Sequence, residues 1–166
     1  MPAKTFAKEW VMEDVNLKIS FNDQSLILKV LDKRCKKTWE QYSLKGNLQL
    51  QKISKNQNTI ILRFTGKYSF DAALTLSHQS ELEIIVSANA AMPINELAFP
   101  AAFKSPANHF LVLTDSEGMI LPVEDKEYPL GNGITYYCGG GLSMAWMGVT
   151  DKNFATGYMA VKMKHK

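Results

Sequence analysis

Apolar and polar residues alternate with a period of two along the first half of the chain. In the segment 16–21, Leu17, Ile19 and Phe21 alternate with polar residues, which predicts a half-buried β-strand. The more continuously apolar segment 25–31 predicts a second strand that is covered on both faces. The polar turn at 22–24 separates the two segments, so together they predict an antiparallel hairpin.

The same pattern predicts further antiparallel pairs, and helical periodicity is nearly absent. Candidate strands follow one another across short polar turns, at 38–42, 48–53, 59–64, 73–78, 81–87, 109–114, 118–122 and 156–163. The turn Asp115-Ser116-Glu117 predicts a tight hairpin between two of these strands. Short strands with turn signals about every 8 to 12 residues are typical of a sandwich or barrel. The fold class predicted from this pattern is therefore all-β, an antiparallel sandwich or barrel.

A glycine-rich segment, 138–149, stands out in the second half. Three consecutive glycines, Gly139 to Gly141, free the backbone from side chains, and Leu142, Met144 and Trp146 follow. Glycines inside a strand pattern indicate a bend or a surface that another group approaches closely. The apolar stretch 142–149 leaves three interpretations open: an inward-facing strand, a protein–protein interface or a sugar-stacking surface.

Trp39 presents a similar choice, because it follows a charged turn and is either a core anchor or a ligand platform. The candidate contact or glycan-binding residues are therefore Gly140, Gly141, Leu142, Met144, Trp146 and Trp39.

Length and charge narrow the function classes. A chain of 166 residues suits a single domain, 1–166, with a real core, and the net charge of +3 is small. The basic clusters at 33–37 and 162–166 are not interleaved with aromatic residues, which argues against a nucleic-acid surface. No apolar run is long enough to span a bilayer, and the first residues lack a signal-peptide core, so no membrane partner is expected. The compartment stays undetermined.

Metal and cofactor motifs are absent from the sequence. Cys35 and Cys138 have no zinc-site spacing, and whether they pair is open. The acidic group 124–127 does not fit the calcium-loop pattern, and the glycine triplet lacks the ending of a phosphate loop. We therefore expect no metal and no cofactor.

Candidates for catalysis are scattered. A glycosidase needs two facing carboxyl groups, and an aldose epimerase needs a histidine with a carboxylate. The material for a carboxyl pair is Asp115, Glu117, Glu124, Asp125 and Glu127, and for an epimerase it is His78 or His109 with Glu124 or Glu127. Ser143 does not sit in a Gly-x-Ser-x-Gly elbow, because Ala145 replaces the last glycine. These residues lie in turns or stand singly, so no catalytic residue is assigned.

Several segments together resemble a known family. They are Val-Leu-Asp-Lys-Arg at 30–34 with Thr-Trp-Glu at 38–40, Phe-Pro-Ala-Ala-Phe at 99–103, the segment 110–122, Gly-Gly-Leu-Ser-Met-Ala-Trp-Met-Gly-Val at 140–149 and Gly-Tyr-Met-Ala-Val at 157–161. Their order and spacing resemble the amino-terminal β-sandwich of glycoside hydrolases similar to family 129, which are related to the endo-α-N-acetylgalactosaminidases. Ala145, where that family often has proline, and the end of the chain at 162–166 depart from its pattern.

The resemblance implies an all-β fold that is a large antiparallel β-sandwich, a supersandwich of the galactose mutarotase-like type. In such enzymes it packs against a following (β/α)-barrel. In such enzymes the barrel carries the catalytic carboxylates. Residues 1–166 are expected to hold the sandwich without the barrel, so no catalytic residue is carried over. The expectation is a non-catalytic module of a carbohydrate-active enzyme that packs against the barrel and contacts glycan. The alternatives are a stand-alone carbohydrate-binding or aldose-epimerase-like domain, and a structural or self-associating sandwich.

Overall fold

The computed structural model describes residues 7–44, 47–88, 99–115, 118–124 and 142–161. All regular elements within these ranges are β-strands, and all the paired strands are antiparallel. They form three sheets of four strands, which confirms the predicted all-β class. The chain divides into two compact units, Met1–Lys104 and Ser105–Lys166. No helix in these described ranges has the length and apolar character needed to cross a membrane.

The first unit holds two of the sheets, each a simple meander. Its strands are β1 (Glu9–Glu13), β2 (Leu17–Asn22), β3 (Leu28–Asp32), β4 (Lys37–Glu40), β5 (Gln49–Asn56), β6 (Thr59–Thr65), β7 (Phe70–Leu76) and β8 (Leu82–Ala88). Strands β1 to β4 form one sheet in chain order, and β5 to β8 form the other. The pairing of β5 with β6 confirms the predicted hairpin of 48–53 with 59–64, and the pairing of β7 with β8 confirms the predicted hairpin of 73–78 with 81–87.

Strand β3 differs from its prediction. It begins at Leu28 rather than Ser25, because Leu26 adopts a positive φ of 57° in the turn and ends the hairpin there. It is also not covered on both faces, since Lys29 is exposed and forms an ion pair with Glu40 on β4 at 2.9 Å. The prediction of a strand covered on both faces is therefore wrong: β3 has one covered face and one face that meets solvent.

The two sheets of the first unit share one hydrophobic core, which makes this unit a β-sandwich. Strands β6 and β7 alternate buried and more exposed residues along their length, as the period-two pattern requires. Phe99 completes the core between the sheets, with its ring 6.1 Å from Phe21 of the first sheet and 5.2 Å from Phe64 of the second. The fully or nearly buried core residues are Met12, Leu17, Ile19, Phe21, Leu28, Ile60, Leu62, Phe64, Phe70, Ala72, Leu74, Leu76 and Phe99.

The second unit holds the third sheet. Its strands are β9 (His109–Asp115), β10 (Met119–Pro122), β11 (Leu142–Asp151) and β12 (Gly157–Val161), in the spatial order β10-β9-β11-β12. The predicted hairpin of β9 with β10 and the predicted last strand are confirmed. Strand β11 carries an irregularity between Leu142 and Met147, where its pairing with β9 shifts register. The candidate segment of the sequence therefore ends in an inner strand of this sheet.

Candidate contact face

One side of the third sheet is apolar and open. Residues that pair across antiparallel strands project from the same face, and the register aligns Ile120, Val112, Gly148 and Met159 in one row. Trp146 pairs with Val161 in the neighbouring row of this face. We call these six residues the Trp146 face: Val112, Ile120, Trp146, Gly148, Met159 and Val161.

The Trp146 face exposes apolar side chains of the kind that a second layer of structure normally covers in a β-sheet. Ile120, Met159 and Val161 are 54%, 62% and 56% exposed, whereas Leu113 and Val149 on the opposite face are buried. None of the six residues carries a charge. A contiguous apolar surface of this kind marks an interaction site more often than a scattered exposed leucine does.

Gly148 forms the floor of this face. A β-carbon added there would lie 4.0 Å from Cζ3 of Trp146, 3.9 Å from Cβ of Val112 and 3.2 Å from the carbonyl oxygen of Tyr158. The indole and the valine therefore lean over a position that has no side chain of its own. Gly148 itself is buried between them, and its missing side chain lets the indole, the valine and strand β12 come close together, as a glycine in a strand indicates.

A shallow groove of about 340 Å³ runs from this floor to the turn between β11 and β12. Trp146, Phe154 and Met159 line it together with Gly148 and Gly157. Its volume lies at the small end of the roughly 300–1,000 Å³ typical of ligand sites. The groove is thus large enough for a single ring or one side chain of a partner.

The turn that bears Phe154 is held by one carboxylate. Asp151 accepts hydrogen bonds from the backbone N–H groups of Asn153, Ala155 and Thr156 and from the Thr156 hydroxyl, at 2.8 to 3.1 Å. Phe154 has a φ of 55° and its side chain is 64% exposed. A bulky residue rarely adopts this conformation, so the turn holds an aromatic ring in solvent at a cost in backbone strain.

A buried threonine fixes the irregular part of β11. The Thr114 hydroxyl lies 2.8 Å from the carbonyl oxygen of Met144 and 3.2 Å from that of Trp146, and it accepts a hydrogen bond from the Met144 N–H at 3.3 Å. The extra residues of β11 are therefore tied to β9 by a side chain where the ladder is interrupted. This contact sets the point at which Trp146 enters the sheet.

The candidate residues of the sequence lie in two different parts of the chain. Met144, half-exposed, and Trp146 lie together on β11, as does the backbone of Leu142. Gly140 and Gly141 lie outside the described residues. Trp39 lies in the first unit, where it is only 4% exposed and Lys37 Nζ sits 5.2 Å from its ring centroid, which matches the core-anchor interpretation.

The histidines have separate environments. His78 is exposed in the turn between β7 and β8 of the first unit. His109 is buried at the start of β9, where its Nδ1 lies 3.0 Å from the side-chain oxygen of Asn108. The two histidines therefore do not come together in one unit, and neither is described beside Glu127, which lies outside the described residues.

The acidic candidates are mostly beyond the described residues. Glu124 is exposed after β10, and the backbone of Asp115 ends β9. Glu117, Asp125 and Glu127 lie outside the described residues, as does Cys138. Ser143 belongs to β11, a strand rather than the strand-to-helix turn that a nucleophile elbow needs.

Carboxylates with a shifted pKa in the described part of the chain are all held as anions. Hydrogen bonds from Lys104 and Lys29 lower the pKa of Glu40, and the Arg63 guanidinium lowers the pKa of Asp71. Arg34 lowers the pKa of Asp32 in the same way, and backbone N–H donors lower the pKa values of Asp14 and Asp151. A general acid at neutral pH needs the opposite shift, so these five carboxylates are not candidates for that role.

Metal ligands do not gather in the described ranges. No group of three or more His, Cys, Asp or Glu side chains there is arranged to hold an ion. Cys35 is an exposed free thiol in the turn before β4, where its sulfur lies 3.9 Å from the Asp32 carbonyl oxygen.

Sequence reasoning included Gly148 in the candidate stretch 138–149 without singling it out, and it missed Phe154 and Met159. The spacing of Trp146, Gly148 and Thr150 was a usable signal, because residues two apart on a strand share a face. Met159 required the pairing of β12 with β11, which a single sequence does not reveal. Phe154 stands in a polar turn, and only the observed backbone shows that the turn projects its ring.

Comparison of the chain with protein-family models, with curated proteins and with solved structures finds no match. The function is therefore inferred from the Trp146 face.

Proposed function

We propose that this chain is a non-catalytic β-sandwich module that packs against a partner domain through the Trp146 face. The observation that carries the proposal is the exposure of Ile120, Met159 and Val161 around a tryptophan and a bare glycine. Interfaces concentrate Trp and Met at their buried centres and exclude charged residues from them. The Trp146 face has this composition before any partner is bound.

The partner we propose is the (β/α)-barrel of a carbohydrate-active enzyme. The family resemblance of segments 110–122, 140–149 and 157–161 supports this choice, and these segments cover β10, most of β9, β11 and β12. Three of the resembling segments thus fall on the sheet that presents the Trp146 face, and the segments 30–40 and 99–103 lie in the first unit. In this arrangement the barrel supplies the catalytic carboxylates and the present chain supplies rigid support and contacts to glycan.

Binding to a barrel tests the proposal directly. The probe is the barrel of a family 129 glycoside hydrolase that lacks its own amino-terminal sandwich, titrated by calorimetry. Met159→Lys and Val161→Lys should each weaken binding by about tenfold or more, because a buried lysine must lose its hydration. Ile85→Lys is the matched control, since Ile85 is an exposed apolar strand residue of the first unit. Equal loss in the control, or no binding by the unaltered chain, would overturn the proposal.

Catalytic assays test the part of the proposal that the module is non-catalytic. Incubation with an aryl α-N-acetylgalactosaminide should release no aryl alcohol, and polarimetry should show no faster mutarotation of galactose than buffer does. Turnover that disappears in Glu124→Gln or His109→Ala would make the chain an enzyme and contradict the proposal.

Self-association is the second candidate. Strand β12 stands at the end of its sheet and contains no charged residue, and charges are a common means of blocking edge-to-edge pairing. Light scattering decides between the two: a dimer that Trp146→Ala dissociates favours self-association, and a monomer that binds the barrel favours the module.

A further inference from the structure

We infer that the groove between Trp146 and Phe154 binds the ring of a neutral sugar. This inference rests on the proposed function, because it assigns a ligand to one corner of the contact surface. It goes further in naming the ligand class and the groups that would hold it.

The first reason is shape. The floor of the groove at Gly148 lacks a side chain, and the indole of Trp146 lies beside it. Phe154 and Met159 line the groove as well. A pyranose ring has flat C–H faces, and aromatic rings give large apolar contact at low cost in side-chain entropy.

The second reason is preorganisation. Phe154 keeps a positive φ because the surrounding turn fixes it: its N–H donates to the Asp151 carbonyl oxygen at 3.1 Å, and Asp151 N–H donates to the Thr156 carbonyl oxygen at 2.9 Å. Strain that a hydrogen-bonded turn sustains while holding a ring in solvent is typical of ligand clamps. A core-packing role would have buried this ring.

The third reason is the hydrogen-bonding sense of the groove. The Thr150 hydroxyl donates to the Thr156 carbonyl oxygen at 3.3 Å, and the Thr156 hydroxyl donates to the Asp151 carboxylate at 2.8 Å. Each threonine hydroxyl thus donates its one hydrogen to an acceptor within the turn, and its oxygen can still accept a hydrogen bond from a ligand. Both residues line the groove, so a complementary ligand brings donors of its own.

The fourth reason is charge. No residue that lines the groove is charged, so nothing in its lining attracts a phosphate, a carboxylate or an ammonium group. A ligand with apolar ring faces, several O–H donors and no charge fits these conditions. Among the common biological ligands that description is a neutral hexose.

Nuclear magnetic resonance of the full chain tests the inference. The probes are galactose, glucose and N-acetylgalactosamine, with galacturonate as the charged comparison. We expect at least one neutral sugar to shift the amide signals of Gly148 and Thr156 and the Trp146 indole signal, with a dissociation constant on the order of millimolar. Galacturonate should bind more weakly than galactose.

Two variants keep a negative result meaningful. Phe154→Gly should weaken binding roughly tenfold through loss of the ring, yet hold or raise the melting temperature, because glycine adopts a positive φ without strain. Thr150→Val should also weaken binding through loss of an acceptor, and Thr38→Val, an exposed threonine of β4, should not. A merely structural Phe154 would leave sugar binding unchanged in the first variant.

The outcomes separate this inference from the proposed function. No shift with any of the neutral sugars up to about 100 mM, far above the millimolar range expected for a weak site, would overturn the sugar site. Shifts that persist in both variants would overturn it as well. Barrel binding depends on Met159, which also lines the groove, and on Val161, which does not. Val161→Lys should therefore weaken barrel binding and leave sugar binding unchanged, whereas Phe154→Gly should weaken sugar binding and leave barrel binding unchanged.

Discussion

Thr114 on β9 places its hydroxyl oxygen 2.8 Å from the carbonyl oxygen of Met144 on β11. The hydroxyl also accepts the Met144 N–H, so a single buried side chain substitutes for ladder hydrogen bonds where the two strands lose register. Trp146 follows two residues later. The position of the tryptophan on the Trp146 face therefore depends on a buried threonine that stands two residues after Val112 on β9.

Thr114→Val should expose this dependence. Valine keeps the shape but leaves the backbone groups of Met144 without their partner, which costs about 1–3 kcal/mol of unfolding free energy. Urea unfolding measures the loss, and Trp146 indole chemical shifts report the displaced bulge. Thr38→Val, on the exposed side of β4, should change stability by less than about 0.5 kcal/mol. An unchanged indole signal in Thr114→Val would show that the irregular part of β11 keeps its conformation without the Thr114 hydroxyl, which would contradict the prediction.

Gly157→Ala should destabilise the second unit. A β-carbon at this position would overlap the Val149 carbonyl oxygen and approach Cα of Thr150 at 3.1 Å, and both are backbone atoms that cannot turn aside. Overpacking of this kind typically costs about 1–3 kcal/mol. Gly66→Ala is the control, because its nearest neighbour would lie at 3.4 Å. Equal melting temperatures for the two variants would contradict the prediction.

Phe64→Ala should weaken the sandwich of the first unit. Phe64 is fully buried and its ring centroid lies 5.2 Å from those of both Phe70 and Phe99. Removing a phenyl group from such a core costs about 3–5 kcal/mol. Ile61→Ala, at an exposed position of the same strand, should cost far less. Denaturant unfolding followed by far-ultraviolet circular dichroism compares them.

Acid should loosen the turn at Asp151. The Ala155 N–H and then the Thr156 hydroxyl lower the pKa of this carboxyl below its ordinary value of 3.8. Because the folded pKa is the lower one, the stabilisation is complete above pH 3.8 and is lost as the pH falls through the folded value. Amide hydrogen exchange of Ala155 should therefore accelerate there. Asp151→Asn should abolish this pH dependence, whereas Glu124→Gln should preserve it.

Alkali should act on Tyr158. Burial raises the pKa of its phenol above the ordinary value of 10.0, and a hydrogen bond with Ser105 opposes this in part. Since the folded pKa is the higher one, the fold is favoured while the phenol is neutral. This contribution to the stability of the folded chain is present below pH 10.0 and is lost as the pH rises through the folded value. Thermal unfolding above pH 10.0 should show this loss, and Tyr158→Phe should flatten it. A steeper loss of melting temperature in Tyr158→Phe would show that ionisation of Tyr158 does not cause the alkaline destabilisation.

Period-two alternation was sufficient to predict the fold class and most hairpins. Leu17, Ile19 and Phe21 are all buried on β2, as their spacing requires. The signal failed at 25–31, where a positive φ at Leu26 and an ion pair at Lys29 override an apolar run. Tertiary context decides exposure in such a run, because hydrophobicity alone does not distinguish one covered face from two.

The candidate site was predicted only in part. Tryptophan and methionine after glycines in a strand pattern drew attention to Trp146 and Met144, of which Trp146 belongs to the Trp146 face. The glycine that the structure places beneath the indole is Gly148, and its role appears only once the register of three strands is known. No linker composition marks the boundary between the two compact units near Lys104.

The exposed methionines give the third sheet a chemical vulnerability. Met159 of the Trp146 face reaches solvent, as do Met144 and Met147 of β11. Each thioether can take up one oxygen atom to become a sulfoxide, which is polar and fits poorly in an apolar interface. Oxidation of Met159 would therefore make the Trp146 face more polar, and methionine sulfoxide reductase would reverse the change.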